Sequence, residues 1–250
     1  MELSGKVAIV TGAGRGIGRA TALALARRGV VVVLAARTQR EIESVAGEVE
    51  AAGATALPVV ADVAREDDVA GMVDRTLQTY GRVDILVNNA GTSLPERPVV
   101  DTRLADWERI LRVNLTGPFL CARAVLPVMM RQRSGKIVNV ASIGGRVGFA
   151  GIAAYGAAKA GLLHFTASLA AEVKRFGIDV NAVCPSGTDT RMLHETGRAK
   201  GRTNLIRPEE IANVIVFLVS PESSAITGTA IEAYGLSNPL FGPLLPQRID

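Results

Sequence analysis

Val7-Ala-Ile-Val-Thr-Gly-Ala-Gly-Arg-Gly-Ile-Gly18 decides how this chain is read. Val7–Val10 is a short apolar run of strand type. Gly12, Gly14, Gly16 and Gly18 follow at every second position and predict a tight turn. Arg19–Arg28 then reads as a helix that ends at Gly29. Glycines in such a turn let backbone N–H groups approach a phosphate closely, and the following helix N-terminus favours negative charge. The spacing is G-x-x-x-G-x-G rather than G-x-G-x-x-G, because Ile17 stands where the latter needs glycine. The physics is the same, so the turn is expected to hold a nucleotide pyrophosphate.

Working outward, strand and helix patterns alternate. Strands are expected at Val30–Ala35, Ala56–Val60, Val83–Val87, Lys136–Val140, Ile178–Val183 and Thr229–Ala233. Helices are expected at Glu41–Ala52, Glu66–Tyr80, Leu104–Arg133, Tyr155–Arg175 and Pro208–Val219, with Pro118 and Pro127 interrupting the third of these. Alternation of this kind implies βαβ units with right-handed crossovers. The fold class expected is α/β: a Rossmann-type, doubly wound, parallel sheet of seven strands with helices on both faces. No linker or repeat divides residues 1–250, so one domain is expected.

Composition agrees. Apolar residues make up 48% of the chain and aromatics 4%, which suits a parallel sheet buried on both faces. A net charge of +4, without basic runs or interleaved aromatics, gives no support to nucleic-acid binding. Cys121 and Cys184 lack metal-ligand spacing and read as reduced core thiols in a cytoplasmic protein; no metal is expected. No signal peptide is expected from the N-terminal residues, and no apolar run is expected to span a membrane, which needs roughly 18 residues.

Thr11–Gly18 resembles the TGxxxGxG fingerprint of the short-chain dehydrogenase/reductases, and the resemblance runs to about Ala230. Asn88-Asn89-Ala90-Gly91 matches the family's NNAG segment. Asn114, Ser142 and Tyr155-x-x-x-Lys159 follow in the family's order. The resemblance implies a hydride transfer between a nicotinamide and a ketone/secondary-alcohol pair, with members that reduce 3-oxoacyl thioesters as the nearest in kind. A sugar, polyol or secondary-alcohol dehydrogenase is the alternative. A cofactor-binding scaffold without turnover is the remote one, since it would be expected to have lost Tyr155 or Lys159.

Tyr155 and Lys159 stand at i and i+4, on one helix face. A free phenol titrates near 10, so Tyr155 is expected to work as general acid or base with a pKa depressed by the Lys159 ammonium. Ser142 is expected to donate to the substrate oxygen. The resemblance implies that Lys159 also bonds the nicotinamide ribose and that Asn114 supports a water relay behind it.

For the cofactor, contacts are expected from Gly12, Gly14, Arg15, Gly16, Ile17 and Gly18. Asp62, Val63, Asn89, Ala90 and Gly91 join them, as do Tyr155 and Lys159, and Pro185, Gly187, Thr188 and Thr190. Ala36 occupies the position where relatives that prefer NAD place Asp. Arg37 follows, and Arg15 can reach the same region. Two guanidinium groups and no carboxylate there favour NADP(H), with NAD(H) possible.

Two departures from the family pattern stand out. Ser186 replaces a glycine after Cys184-Pro185, and Gly187 is expected to supply the missing backbone freedom. The lid over the substrate, about 188–207, is short and polar, and in it His194 reads as a solvated loop residue rather than a substrate contact. The tail, about 236–250, holds Pro239, Pro243 and Pro246 among apolar residues and is expected to pack at a subunit interface. The small-residue face of the Tyr155 helix, with Ala158 and Gly161, is expected to do the same in a homodimer or homotetramer.

Overall fold

The computed structural model describes residues 3–237; the tail expectation for residues 238–250 lies outside them. Seven strands form one sheet: β1 Val7–Thr11, β2 Val31–Ala36, β3 Ala56–Val60, β4 Ile85–Asn88, β5 Gly135–Val140, β6 Ile178–Pro185 and β7 Ala230–Ala233. Their order is β3-β2-β1-β4-β5-β6-β7, and every neighbouring pair is parallel. The chain builds outward from β1 to β3, then crosses back to lay β4 on the other side of β1. The crevice of such a sheet opens at that reversal, beyond the carboxyl ends of β1 and β4.

The helices are α1 Gly16–Ala26, α2 Gln39–Ala51, α3 Glu66–Tyr80, α4 Leu104–Leu111, α5 Gly117–Gln132, α6 Ala153–Val173, the short α7 Arg191–Glu195, and α8 Pro208–Val219. Side chains alternate along each strand, and both faces are dry. Ala8 and Val10 of β1 pack with α1, α2 and α8 on one side. Val7 and Ile9 pack with α3, α5 and α6 on the other. Alternation is therefore invisible as a polarity pattern, and each central strand reads as a continuous apolar run.

The long pattern from Leu104 is broken, but not by its prolines. Pro118 follows the π-turn in a chain that is already helical at Thr116, and α5 continues through Pro127. The break is a π-turn at Arg112–Thr116, which carries Asn114. By length and composition alone, Leu104–Gln132 could cross a membrane, contrary to the expectation from sequence. More than half of its most apolar window, 56%, is buried within the protein. The small-residue face of α6 is also occupied from within. Ala158 packs with Ile110 of α4, and a Cβ on Gly161 would come within 3.0 Å of Leu115. That face is closed by the chain's own π-turn rather than left for a partner.

Asp84 anchors the opposite end of the sheet. Its Oδ2 accepts from the Val7 N–H at 2.9 Å. Arg82 grips both oxygens, at 2.7 Å and 2.6 Å, and Lys6 lies 3.5 Å away. Burial pushes the carboxyl up, but the Arg82 guanidinium, the Val7 N–H and Lys6 together hold it below the usual carboxylate range. Stability from this group is therefore present above that range and lost as pH falls through the depressed folded value. Replacing Asp84→Asn is expected to cost about 1–3 kcal/mol. Chemical denaturation should show that cost at neutral pH and a narrowing gap to the parent as the solution is acidified.

Candidate active site

The glycine turn leaves β1 and is fixed from β4. The Asn89 Nδ2 donates to the carbonyls of Thr11, at 2.9 Å, and Gly12, at 3.1 Å. The Thr11 hydroxyl donates to Val87 O at 3.2 Å and accepts from the N–H groups of Asn89 and Ala90, each at 3.0 Å. Gly12 has a φ of +64°, and a Cβ there would lie 2.9 Å from the Ala90 Cα. Gly18 serves packing: its Cβ would fall 2.2 Å from the Gly12 carbonyl oxygen. It is absent from the cavity wall, so the cofactor contact expected of Gly18 is corrected to a close backbone approach behind the turn.

A cavity of about 420 Å3 runs from this turn along the carboxyl ends of the strands. It brings together Gly12, Gly14, Arg15, Gly16, Ile17, Arg37, Asp62, Val63, Asn89, Ala90 and Gly91 with Asn114, Ser142, Tyr155, Lys159, Pro185, Gly187, Thr188 and Thr190. No group of three or more His, Cys, Asp or Glu that could hold a metal ion occurs among the described residues.

Ser142 ends β5 and caps the short turn Ile143–Gly145 by accepting from the Gly144 N–H at 3.1 Å. Its hydroxyl proton stays available to another acceptor. Lys159 is buried, and its Nζ donates to Val140 O at 2.7 Å, 5.7 Å from the centre of the Tyr155 ring. Burial pushes Lys159 down to about 8. Tyr155 is pushed above its ordinary value, chiefly by burial, while Ser142 and Arg198 pull it down. The expected depression of the Tyr155 pKa is thus corrected: burial outweighs the charges around the ring. The ammonium is drawn to the β5 carbonyl, and the groups that oppose burial at the phenol are Ser142 and Arg198.

Asn114 is fully buried at the π-turn. Its Nδ2 donates to Thr92 O at 2.8 Å and Ile110 O at 2.9 Å, and its Oδ1 accepts from the Thr92 N–H at 3.2 Å. These bonds pin the segment after β4 to the break between α4 and α5.

Two further expectations change. Gly187 does not take a positive φ; it matters because a Cβ there would lie 2.7 Å from the Arg202 guanidinium. The region around Arg37 does contain a carboxylate. Glu41, on the first turn of α2, lines the cavity and pairs with Arg15 at 3.3 Å and Arg191 at 3.6 Å. Sequence reading missed it because it looked only at the strand end, whereas the first helical turn folds back over Gly14, to whose Cβ position Glu41 Cβ is 2.8 Å.

The lid is pinned at its base. Thr188 bridges to Ile206, with Ile206 N donating to Gly187 O at 2.9 Å and Asp189 N to Ile206 O at 2.8 Å. Thr190 caps α7, and its methyl group lies 3.2 Å from a Cβ built on Gly16, so the lid rests on the glycine turn. His194 is exposed and bonds Asp189 at 2.7 Å.

Comparison with known proteins agrees with this geometry. Residues 6–201 match the family described as short chain dehydrogenase. A 3-oxoacyl-[acyl-carrier-protein] reductase of Synechocystis sp. is 42% identical over 93% of this chain and 97% of its own. A cis-4-hydroxycyclohexanecarboxylate dehydrogenase of Sinomonas cyclohexanicum is 41% identical over 92% and 95%. Among solved structures, a 3-ketoacyl-(acyl-carrier-protein) reductase from Brucella melitensis complexed with NADH superposes with a TM-score of 0.88 at 35% identity, covering 94% of this chain and 99% of that one. The chain belongs to the short-chain dehydrogenase/reductase family, oxidoreductases that use nicotinamide dinucleotides and act on hydroxyl and keto groups.

Proposed function

We propose that this protein transfers hydride between NADP(H) and a ketone/secondary-alcohol pair, with a 3-oxoacyl thioester or similar carbonyl compound as the substrate reduced. One observation carries the reading: a single cavity joins the glycine turn to Ser142, Tyr155 and Lys159. The residues suit a dinucleotide. Any Cβ at Gly12 would collide with Ala90. The N-terminus of α1 has neither a side-chain cap nor an acidic residue in its first turn, which leaves its N–H groups for a pyrophosphate.

Ser142 holds the substrate oxygen by donating its proton, and Tyr155 protonates that oxygen as the alcohol forms. The bound reduced nicotinamide supplies the hydride. Lys159 stabilises the negative charge left on Tyr155, and its bond to Val140 O keeps the ammonium in place. The resemblance adds a bond from Lys159 to the ribose. Asn114 acts as a positioning residue through Thr92, together with the relay behind Lys159 that the resemblance implies.

NADP(H) is favoured by Arg37 and Arg15, with Glu41 opposing them by engaging Arg15. NAD(H) remains open to the same turn, and the Brucella relative holds NADH. Its two free buried cysteines support the reading of a cytoplasmic protein. A homodimer or homotetramer is supported by Phe119 of α5, 42% exposed and packed edge-on against Phe165 of α6.

Tyr155→Phe is expected to lower kcat by about a hundredfold to ten-thousandfold, with the cofactor Kd little changed. Because burial keeps the phenol protonated through neutral pH, kcat/KM for reduction should be flat there. It should fall as pH rises through about 8, where Lys159 loses its charge. Oxidation should instead gain as the solution becomes alkaline and the phenolate form grows. Stopped assays of both directions across neutral and alkaline pH check the pair of slopes.

The cofactor reading predicts opposite shifts for two substitutions. Arg37→Asp should lower the NADP/NAD ratio of kcat/KM by about tenfold or more. Glu41→Gln should raise it by releasing Arg15. An unchanged ratio in Arg37→Asp removes the basis for NADP preference.

A further inference from the structure

The substrate end of the cavity holds a cation beyond the groups that hold the reacting oxygen and carry its proton. Arg198 follows α7 in the lid, and its Cζ stands 5.5 Å from the centre of the Tyr155 ring. Its Nη2 donates to the Ser93 hydroxyl at 2.7 Å, and its Nε donates to the Thr196 hydroxyl at 3.1 Å. Thr196 is itself buried, with its Oγ1 bonded to Met192 O at 3.0 Å and Leu193 O at 3.1 Å. The guanidinium is thus tied to the segment after β4 on one side and to the lid on the other. A guanidinium has five N–H donors, and these two bonds leave the Nη1 pair and one Nη2 N–H to others.

Among the described residues, no carboxylate forms an ion pair with Arg198, whereas around the same cavity Arg15 and Arg109 each have one and Arg191 has two. A half-buried cation beside the reacting side chain, fixed on two sides and without a protein anion, is arranged for an oxygen of the ligand. Arg202 lines the same end and adds to the positive potential, with Glu96 as the opposing charge.

We propose that Arg198 determines specificity by binding an acyl oxygen of the substrate, on an acyl carbon two bonds from the reacting carbon. The substrate class is then the 3-oxoacyl compound, as a free carboxylate or as a thioester. This rests on the oxidoreductase reading above and adds the second point at which the ligand is held. Two fixed contacts, Ser142 and Tyr155 on the reacting oxygen and Arg198 on the acyl oxygen, would orient the carbon chain and so the face that receives hydride.

Three probes separate the possibilities: acetoacetate, S-acetoacetyl-N-acetylcysteamine and butanone. Each is assayed by nicotinamide absorbance with the full-length protein, Arg198→Met and Arg198→Lys, and its binding to the NADP+ complex is measured by calorimetry. The expected result is a drop of about tenfold to a hundredfold in the acyl-to-butanone ratio of kcat/KM in Arg198→Met. The drop should lie in KM more than kcat, be matched in Kd and be partly restored by Arg198→Lys. A larger loss with acetoacetate identifies the free acid as the ligand, and equal losses with both acyl probes identify the neutral acyl carbonyl; both sustain the proposal. Equal losses with all three probes overturn it and assign Arg198 to Tyr155 or to lid structure. A misfolded Arg198→Met, revealed by its melting temperature, leaves Arg198→Lys to decide: the same substrate-selective rise in KM sustains the proposal, and none overturns it. If no probe is turned over while calorimetry still finds acyl binding that depends on Arg198, the oxidoreductase reading fails and the acyl contact stands.

Discussion

The Asn89 side chain reaches across the reversal point of the sheet and ties two carbonyls of the glycine turn to the end of β4. The rest of the site depends on this clasp. A glycine turn has little conformational preference of its own, because glycine gains as much from disorder as from any one turn geometry. Thr11 completes the clasp from the β1 side by accepting from the Asn89 and Ala90 N–H groups. The turn therefore has its shape before any ligand arrives, and the α1 N-terminus stays aimed at one point. The same segment continues through Gly91 to Thr92, which Asn114 grips on both its N–H and its carbonyl. One stretch of chain thus sets the phosphate end, the nicotinamide side and the first residues of the substrate side.

Electrostatics at the centre follows from burial rather than from pairing. Lys159 is buried and Tyr155 half-buried, and burial displaces each toward its neutral form. The arrangement favours the protonated phenol at neutral pH, which is the form that reduction consumes. A positive charge brought close, whether on Lys159 or on an oxidised nicotinamide, acts on a phenol in a medium that screens it weakly. The cost of burial is thus also what makes the site responsive to charge.

Much of the fold was legible, and the reason is physical. Strands buried on both faces read as apolar runs, and α3, β3 and α8 fell at the expected boundaries because Gly81, Gly53 and Pro208 punctuate them. Helix starts were read late at α1, α2 and α6, since their first turns carry glycine, polar or small residues that sequence reading gave to the loops. The π-turn was misplaced to the prolines because a widened turn leaves no residue signature, only a side chain, Asn114, with backbone to satisfy. Of the site, the residues on strand ends and the Tyr155 helix face could be read from order and spacing. Glu41 and Arg198 could not. Each acts through a fold-back, of the first turn of α2 onto Gly14 and of the lid onto Ser93, and nothing in local spacing encodes a contact made across 105 residues.

That difference has a consequence for how such a site divides its tasks. The groups that were legible fix the glycine turn and line the cavity beside it. They sit on strand ends and α6, where the sheet fixes geometry. Of the groups that were missed, Glu41 sits on α2, whose Ile42 and Val45 pack in the core, and Arg198 sits in the lid, closed at its base by the Thr188–Ile206 bridge. Glu41 and Arg198 both meet the lid, the first through Arg191 and the second by lying in it. Charge thus reaches the cavity from the lid as well as from the sheet, while the Asn89 clasp is made by the ends of β1 and β4 alone.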